Sequence, residues 1–316
     1  LVIKQLEDLK SKRSSLFSRY LYDKKDLTVF RLLTLGNNFI SGDHGVAFIK
    51  DVAPSEKFSL IRSIVKQVAS KEKLRGRISA ILIKDFFDKP DNSENPLTLN
   101  RFLEFAVEPN MVVHFPQQVK SLADFVSLFS KKYRKRSRDI FKAFEGVDCI
   151  EMSEKELEKW KDEIYELYLQ VYEHAKFKLV KIHPGYFASL KKEFREKFIV
   201  RGFFYDKKLI GFQSAFILDN HQMEAHFIGM DYQNNLKFKL YQNILYGFLG
   251  MAIQNGKQVL NLGRTATEIK STVGAKPQNL YCYVKPQNSI SRLVLQPFIS
   301  FLQPAQWQPR NPFRED

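Results

Sequence analysis

The stretch VLNLGRTATEIKSTVGAKP, residues 259–277, joins a strand-like apolar run to a dense polar loop. The apolar run ends at Gly263, and guanidinium, hydroxyl, carboxylate and ammonium side chains then follow in quick succession, namely Arg264, Thr265, Glu268 and Lys270. Open sheets bind ligands beyond the carboxyl ends of their strands, so this loop is a candidate site. A solvated surface loop is the alternative.

The residues around this stretch predict one unit of mixed sheet and helices. Apolar residues recur every three or four positions over 154–175, and Ser153 with Glu156 gives a capping-box pattern at the start of this helix. A second helix is predicted after His183–Pro184. Strands are then predicted at 198–206, 209–218 and 222–230, a helix at 236–254, a strand at 257–263, a short helix at 265–272 and a strand at 279–286. The order α-α-β-β-β-α-β-α-β indicates an α/β (α+β) unit with a mixed sheet flanked by helices.

The first half of the chain repeats part of this order. The predicted elements are strands at 28–38 and 45–50, a helix at 55–71, and strands at 77–86, 101–107 and 111–115. Strand, Asn-rich loop, helix and strand thus occur in both halves, which indicates a tandem repeat of one fold. The first unit lacks counterparts of the opening strands, so we expect it to be N-terminally incomplete.

The boundary between the two units is expected near Pro116, which gives domains at 1–117 and 118–316. Beyond it, apolar residues from Leu122 to Phe144 recur at helical spacing and predict one long helix. The tail at 290–307 is apolar but interrupted by prolines, so it either packs on the body or touches a membrane surface.

Composition narrows the class of protein. The 316 residues are 44% hydrophobic with a net charge of +15, enough apolar material for one large or two ordinary domains. No run approaches the roughly 18 apolar residues of a membrane span, and no signal segment opens the chain, whose first residue Leu1 indicates that the natural start was removed or lies upstream. With two cysteines and no metal-binding spacing of His or Cys, we expect a soluble cytoplasmic protein without disulfides or a metal.

Three segments resemble a known superfamily. They are GMDY at 229–232 before the central helix, LGRTATEIKSTVGAKP at 262–277, and SKKYRKRSRDIFKAFEG at 130–146. Together with the element order they resemble the GNAT acyltransferases, and more closely the tandem-GNAT branch that holds the Fem-type aminoacyl transferases of peptidoglycan synthesis and related bacterial N-acyltransferases. The resemblance covers about 120–285 well and the first half by architecture. It implies a bacterial enzyme of lipid or peptidoglycan metabolism that passes an acyl or aminoacyl group to an amine.

The same resemblance bears on the functional lysine and the donor. EIKSTVGAKP at 268–277 is similar to the family's Phe/Tyr-Lys-x-x-Phe-Gly segment, which places Lys270 on the functional lysine, with Ile269 and Val273 where aromatics are usual. Members that use acetyl-CoA carry a glycine-rich turn for the pyrophosphate, whereas residues 231–246 contain no glycine. As donor co-substrate, acyl carrier protein and aminoacyl-tRNA therefore suit the chain better than acyl-CoA, and no tightly bound cofactor is expected.

Direct transfer to an amine needs a proton acceptor, stabilisation of an oxyanion, and positioning of both substrates. We assign Lys270 to oxyanion or phosphate stabilisation, because a fixed ammonium can meet developing negative charge. Glu224 and His226 alternate on the third meander strand, so their side chains face the same side. The resemblance implies a general base on this strand, where GNAT enzymes often keep one, and a neutral His could accept the proton of the amine near pH 7. The alternatives are a solvated lysine and an ordinary half-exposed strand face.

Substrate binding is assigned to polar residues beside these groups, namely Asp231, Tyr232, Arg264 and Ser271. Asp231 is equally compatible with a role at a helix N-terminus, and Arg264 with a salt bridge to Glu268. Thr265 is expected to cap the short helix, with Glu268 completing a capping box.

A basic run on the predicted helix beyond Pro116 completes the set of candidates. Its cations are Lys131, Lys132, Arg134, Lys135, Arg136 and Arg138. This anion patch suits tRNA, an acidic carrier protein or lipid headgroups, and peripheral contact with the inner membrane is left open; a solvated helix face is the alternative. The sequence thus predicts an N-acyltransferase. The other hypothesis is a non-catalytic repeat that binds RNA, an acidic carrier or an envelope precursor, and the oligomeric state is not predicted.

Overall fold

The computed structural model describes residues 31–49, 52–71, 78–87, 95–98, 101–175, 181–289, 291–293, 295, 299, 304 and 306–314. By its internal contacts the chain divides into two compact units. Unit 1 comprises Leu1–Glu108 and Asn279–Ala305, and unit 2 comprises Pro109–Gln278 and Gln306–Asp316.

The described part of the chain contains strands and helices in both units. The strands are β1 (Leu32–Leu35), β2 (Ala80–Phe86), β3 (Leu103–Ala106), β4 (Asn110–His114), β5 (Asp148–Glu151), β6 (Phe198–Tyr205), β7 (Lys208–Ile217), β8 (Gln222–Met230), β9 (Val259–Asn261), β10 (Lys276–Gln278) and β11 (Tyr281–Pro286). The helices are α1 (Pro54–Ser70), α2 (Leu122–Ser127), α3 (Lys131–Lys142), α4 (Glu154–Lys159), α5 (Lys161–His174), α6 (Tyr186–Phe194), α7 (Tyr232–Phe238), α8 (Leu240–Gln254) and α9 (Thr267–Ser271).

Unit 1 is built on a sheet with the strand order β1-β2-β11-β3. β1 and β2 are parallel, with Leu32 opposite Ala80, and α1 makes the crossover between them. The apolar side of α1 packs on the sheet through Phe58 and Ile61. This is the strand, loop, helix and strand order expected for the first half. The strand expected at 45–50 is wrong over its described residues, since 45–49 carry no strand.

Unit 2 is built on a sheet with the strand order β10-β4-β9-β8-β7-β6-β5. β6 to β8 form an antiparallel meander, with β5 antiparallel to β6 at its edge. β8 is parallel to β9 through the α7–α8 crossover. One face of the sheet packs against α8, whose buried residues include Leu240, Ile244 and Phe248. The other face packs against α4 to α6 through residues such as Leu157 and Phe187. The expected fold class, mixed sheets flanked by helices, is therefore confirmed.

The order of strands next to each parallel pair is the same in the two sheets. An antiparallel strand follows the pair and a second antiparallel strand follows that one, which gives β1-β2-β11-β3 and β8-β9-β4-β10. β4 closes the first half of the chain but pairs with β9 and β10, whereas β11 closes the second half but pairs with β2 and β3. The expected boundary between residues 117 and 118 therefore does not coincide with the compact units, because each sheet takes its inserted strand from the other half.

Three predicted helices are each interrupted. The long helix expected at 122–144 is α2 and α3, with a break where Phe129 bridges to Phe313 and the Ser130 N–H donates to the Pro312 carbonyl. The helix expected at 154–175 is α4 and α5, which meet at Trp160. The helix expected at 236–254 is α8 preceded by the separate helix α7, because Lys239 adopts a left-handed conformation with φ 45°. The capping box of Ser153 and Glu156 is present as predicted.

The segment 306–314 belongs to unit 2 and is anchored by Phe313. Its ring contacts the rings of Phe125 and Phe129 edge-on, with centroids 5.8 and 5.4 Å away. Beneath it lies Gly274, with φ +93°, where an added Cβ would stand 2.8 Å from the Phe313 ring. Gly274 is thus required both by its backbone conformation and by the close approach of an aromatic ring.

Among the described residues, no helix is long and apolar enough to cross a membrane.

Two glycine substitutions separate these requirements. Gly274→Ala should lower the free energy of unfolding by about 2–4 kcal/mol, since it combines backbone strain with overpacking against Phe313. Gly256→Ala is the matched control, because Gly256 has φ +65° but no atom within 4 Å of an added Cβ. It should cost only about 1 kcal/mol, the strain of the left-handed conformation. Urea unfolding of both variants measures the difference, and equal losses would contradict the packing argument.

Candidate functional site

The parallel strands of unit 2 separate soon after they begin to pair. β8 and β9 pair only over Gln222–Glu224 and Val259–Asn261, whereas β8 continues to Met230. Within the described part of the chain, no strand pairs with this side of β8 over residues 225–230. A bulge marks the same segment, where the Ser214 hydroxyl accepts from the Phe227 N–H and donates to the Phe227 carbonyl, both at 3.0 Å. This side of β8 is therefore a strand edge over residues 225–230.

A buried chain of hydrogen bonds crosses the point where the two strands separate. Asn261 donates through Nδ2 to Oε1 of Glu224 at 3.1 Å, and its Oδ1 accepts from the Gly263 N–H at 2.8 Å. Lys270 then donates through Nζ to the carbonyls of Gly263 and Arg264, at 3.2 and 2.7 Å. Glu224 and Lys270 are only 1% and 6% exposed. Lys270 is therefore a buried ammonium fixed at the strand end, and the solvated lysine considered from the sequence does not describe it.

The loop that carries Lys270 turns through two left-handed residues. Thr265 has φ 67° and Ala266 has φ 49°, so α9 begins at Thr267 with Ala266 as its N-cap and without a side-chain cap. The capping box expected from Thr265 and Glu268 is wrong, because the left-handed turn delays the start of the helix. The hydrogen bonds from Lys270 to the preceding carbonyls hold this turn in place.

The neighbours of Lys270 on α9 are engaged by the segment 306–314. Glu268 accepts from the Arg310 guanidinium, with Nε 2.9 Å away, so its observed ion pair is with Arg310 and not with Arg264. The Ser271 hydroxyl donates to the Glu268 carbonyl at 2.7 Å and accepts from the Arg310 N–H at 2.9 Å. Ser271, predicted to bind substrate, thus joins α9 to residue 310. Arg264 lies half-buried in the loop that follows β9.

His226 lies in an aromatic cluster beside the bulge. The rings of Tyr186, Phe198, Phe216 and Phe227 have centroids 4.4–6.0 Å from its own. Phe216 is directly opposite Glu224 on the neighbouring strand, so Glu224 and His226 project from the same face of the sheet.

The cluster also sets the protonation state of His226. Nε2 lies 3.0 Å from the Tyr186 hydroxyl, and the buried Nδ1 has no hydrogen-bond partner in the described structure. Burial lowers the pKa of His226 to about 3 and raises that of Tyr186. The imidazole is therefore neutral near pH 7, but it is a weak proton acceptor.

Asp231 and Tyr232 lie at the carboxyl end of β8, and Tyr232 contacts α5. The Asp231 carboxylate accepts from the Gln233 N–H at 2.9 Å and from Nδ2 of Asn234 at 2.6 Å, which is the helix N-terminal role left open by the sequence. Tyr232 stacks on His174, with ring centroids 4.0 Å apart, and burial raises the pKa of its phenol. Both residues are thus near the strand end where the site was expected.

The predicted anion patch lies on α3. Its exposed cations are Lys131, Lys132, Lys135, Arg136 and Arg138. Arg134 is half-buried and donates through Nη1 to the Phe129 carbonyl at 2.7 Å, while the opposite side of the helix buries Ile140. Lys239 adds a further cation, since its Nζ donates to the Asp139 carbonyl at 3.2 Å. The exposed face of α3 is therefore rich in cations, with one exposed carboxylate, Asp139, among them.

Two residues of the site were missed from the sequence. Asn261 links Glu224 to the Lys270 loop, and its signal is a single amide within the apolar run VLNLG. Tyr186 contacts His226 on β8 from helix α6, and no spacing in the sequence relates the two.

The depressed pKa of His226 predicts a pH dependence of stability. The unfolded chain takes up a proton near pH 6.5, whereas folded His226 does so only near pH 3, so stability falls as the pH drops from 6.5 towards 3 and is unaffected by this residue above that window. Between pH 7.5 and 5.5 the loss should be about 1 kcal/mol. His226→Phe keeps an aromatic ring in the cluster. Its free energy of unfolding, measured with urea at both pH values, should fall by about 1 kcal/mol less than that of the wild type. An equal fall in the variant and the wild type would contradict the burial of a neutral imidazole.

No protein-family model and no curated protein matches the chain significantly. Solved structures do match it. The match with FemX covers 84% of this chain and 83% of FemX, at 11% sequence identity and a TM-score of 0.53. The match with L-PGS from Bacillus licheniformis covers 79% of this chain and 80% of L-PGS, at 10% sequence identity and a TM-score of 0.50. At such identities the likeness concerns the fold, and the Fem-like fold expected from the sequence is confirmed.

Proposed function

We propose that the protein is an N-acyltransferase that passes an acyl or aminoacyl group from an activated carrier to an amine. The observation that carries the proposal is the buried Glu224–Asn261–Gly263–Lys270 chain, at the point where β8 and β9 separate. Burial of a carboxylate and an ammonium costs free energy unless both are held in place, and such an arrangement beside an open strand edge is typical of a reactive site. The fold shared with FemX supports the same class of reaction.

The chemistry of transfer assigns a role to each end of this series of hydrogen bonds, Glu224 and Lys270. The acceptor nitrogen attacks the carbonyl carbon of the donor, a C–N bond forms, and the carbonyl oxygen becomes an oxyanion. The C–S or C–O bond to the carrier then breaks, and the proton from the nitrogen passes to a base and on to the leaving group. Lys270 stabilises the oxyanion, since its charge is fixed and shielded from water. Glu224 is the base, because an imidazole with a pKa of about 3 accepts protons poorly, and His226 positions the substrate.

The open edge of β8 bears on the identity of the donor. Its backbone groups over residues 225–230 suit an extended arm that carries amides, by the same pairing that adds a strand to a sheet. Acyl carrier protein and acyl-CoA have such a pantetheine arm, and aminoacyl-tRNA does not. The Asp231 carboxylate already occupies an N–H of the first turn of α7, which opposes binding of a pyrophosphate there. Acyl carrier protein is therefore the donor we favour, and its acidic surface suits the basic face of α3.

Removal of the ammonium tests the catalytic role of Lys270. Lys270→Met should lower kcat/KM by about 100-fold or more, the usual effect of losing one oxyanion donor, and Lys270→Arg should recover part of it. Lys276→Met is the matched control, because Lys276 follows shortly after Lys270, at the start of β10, and is exposed. Amide product is measured by mass spectrometry with acyl carrier protein, aminoacyl-tRNA and acyl-CoA as donors and pooled amines as acceptors.

Two results would count against this function. Full activity of a folded Lys270→Met protein would remove the lysine from the mechanism. Absence of product with every donor, from wild-type protein with a normal unfolding transition, would favour the non-catalytic binding protein.

Charge reversal on α3 tests the carrier. The double variant Lys135→Glu/Arg136→Glu should raise KM for acyl carrier protein about tenfold or more at low salt and leave kcat unchanged, because exposed charges act mainly on encounter. With acyl-CoA as the donor, the KM of the double variant should differ little from that of the wild type. Lys155→Glu, on the exposed side of α4, is the control. Equal KM values for the variant and wild type would exclude this face as the carrier contact.

A further inference from the structure

Unit 1 contains a cavity of about 210 Å³ between α1 and the edge of its core. The residues that matter for its chemistry are Arg62, Val65 and Lys66 on α1, Ile81 on β2, Phe102 before β3, and Lys285 on β11. None of them belongs to the proposed catalytic site, which lies in unit 2.

The floor of the cavity is apolar. Val65, Ile81 and Phe102 are 4%, 4% and 6% exposed and belong to the core that α1 forms with the sheet. A ligand portion that rests on them leaves water and gains free energy in proportion to the apolar area that it buries. The floor therefore favours a hydrocarbon group.

The rim of the cavity is cationic. Arg62 and Lys66 lie one turn apart on α1, and Lys285 approaches from β11 with its Nζ 5.5 Å from the centroid of the Phe102 ring. In the described part of unit 1, no carboxylate lines the cavity or forms an ion pair with these three side chains. Like charges one turn apart destabilise a helix, so an anion between them would relieve repulsion within the folded unit.

We propose that this cavity binds a phosphate monoester with a short apolar body. The guanidinium of Arg62 matches two phosphate oxygens at once, and Lys66 and Lys285 supply the additional charge that a phosphate dianion requires. A carboxylate carries half that charge and is served less well by three cations. The hydrocarbon of the ester rests on the apolar floor.

Calorimetric titration with n-butyl phosphate tests the proposal on the full chain. Butyl phosphate should bind about tenfold more tightly than inorganic phosphate, because part of the butyl chain leaves water, and n-butanol should not bind measurably. Arg62→Ala/Lys66→Ala and Lys285→Ala should each weaken binding about tenfold or more. Lys155→Ala, which removes an exposed charge in unit 2, should leave it unchanged.

The outcomes distinguish a built cavity from a charged surface. Equal affinity for butyl phosphate and inorganic phosphate, or equal weakening by Lys155→Ala, would overturn the proposal. Binding to vesicles of anionic phospholipid without binding of butyl phosphate would also overturn it, in favour of a membrane-facing surface. The substituted side chains lie on the cavity rim, and an unchanged unfolding transition verifies that each variant is folded. Acyltransferase activity is not the readout, so failure here leaves the proposed function of unit 2 untouched.

Discussion

A buried ammonium needs hydrogen-bond acceptors around it, and the loop after β9 is organised by that requirement. Lys270 obtains two of them from the carbonyls of Gly263 and Arg264, which must then point towards it through a left-handed turn. The turn fixes where α9 starts, and Asn261 joins it to the carboxylate of Glu224. Charge placement, loop conformation and the separation of β8 from β9 are thus parts of one arrangement.

That arrangement also explains why the two faces of unit 2 differ in chemistry. On one side of the sheet, α8 buries a continuous apolar surface. On the other side, the bulge at Phe227 and the polar pair formed by Glu224 and Asn261 interrupt the packing, and the aromatic cluster keeps His226 neutral. The imidazole of His226 is neutral near pH 7 on this strand because desolvation disfavours its charged form.

Local patterns predicted most elements but not their long-range partners. β8 and the capping box at Ser153 follow from periodicity and spacing, since both depend on nearby residues. Which sheet receives β4 or β11 depends on pairing between strands that are far apart in the sequence. The boundary expected between residues 117 and 118 therefore does not coincide with the bounds of either compact unit. In the site, Lys270 was found through a motif, whereas Asn261 and the Glu268–Arg310 pair depend on tertiary contacts that no local pattern contains.

The exchange of strands between the halves has a consequence for synthesis of the chain. Unit 1 contains the earliest described strand, β1, yet its sheet needs β11, which ends at Pro286. Unit 2 in turn receives the ring of Phe313. Domains usually fold one after another as they leave the ribosome, but here neither core can close until most of the polypeptide has emerged. During that time β2 lacks β11, and β4 lacks β9 and β10, so the nascent chain must be protected from pairing with other chains through these two strands.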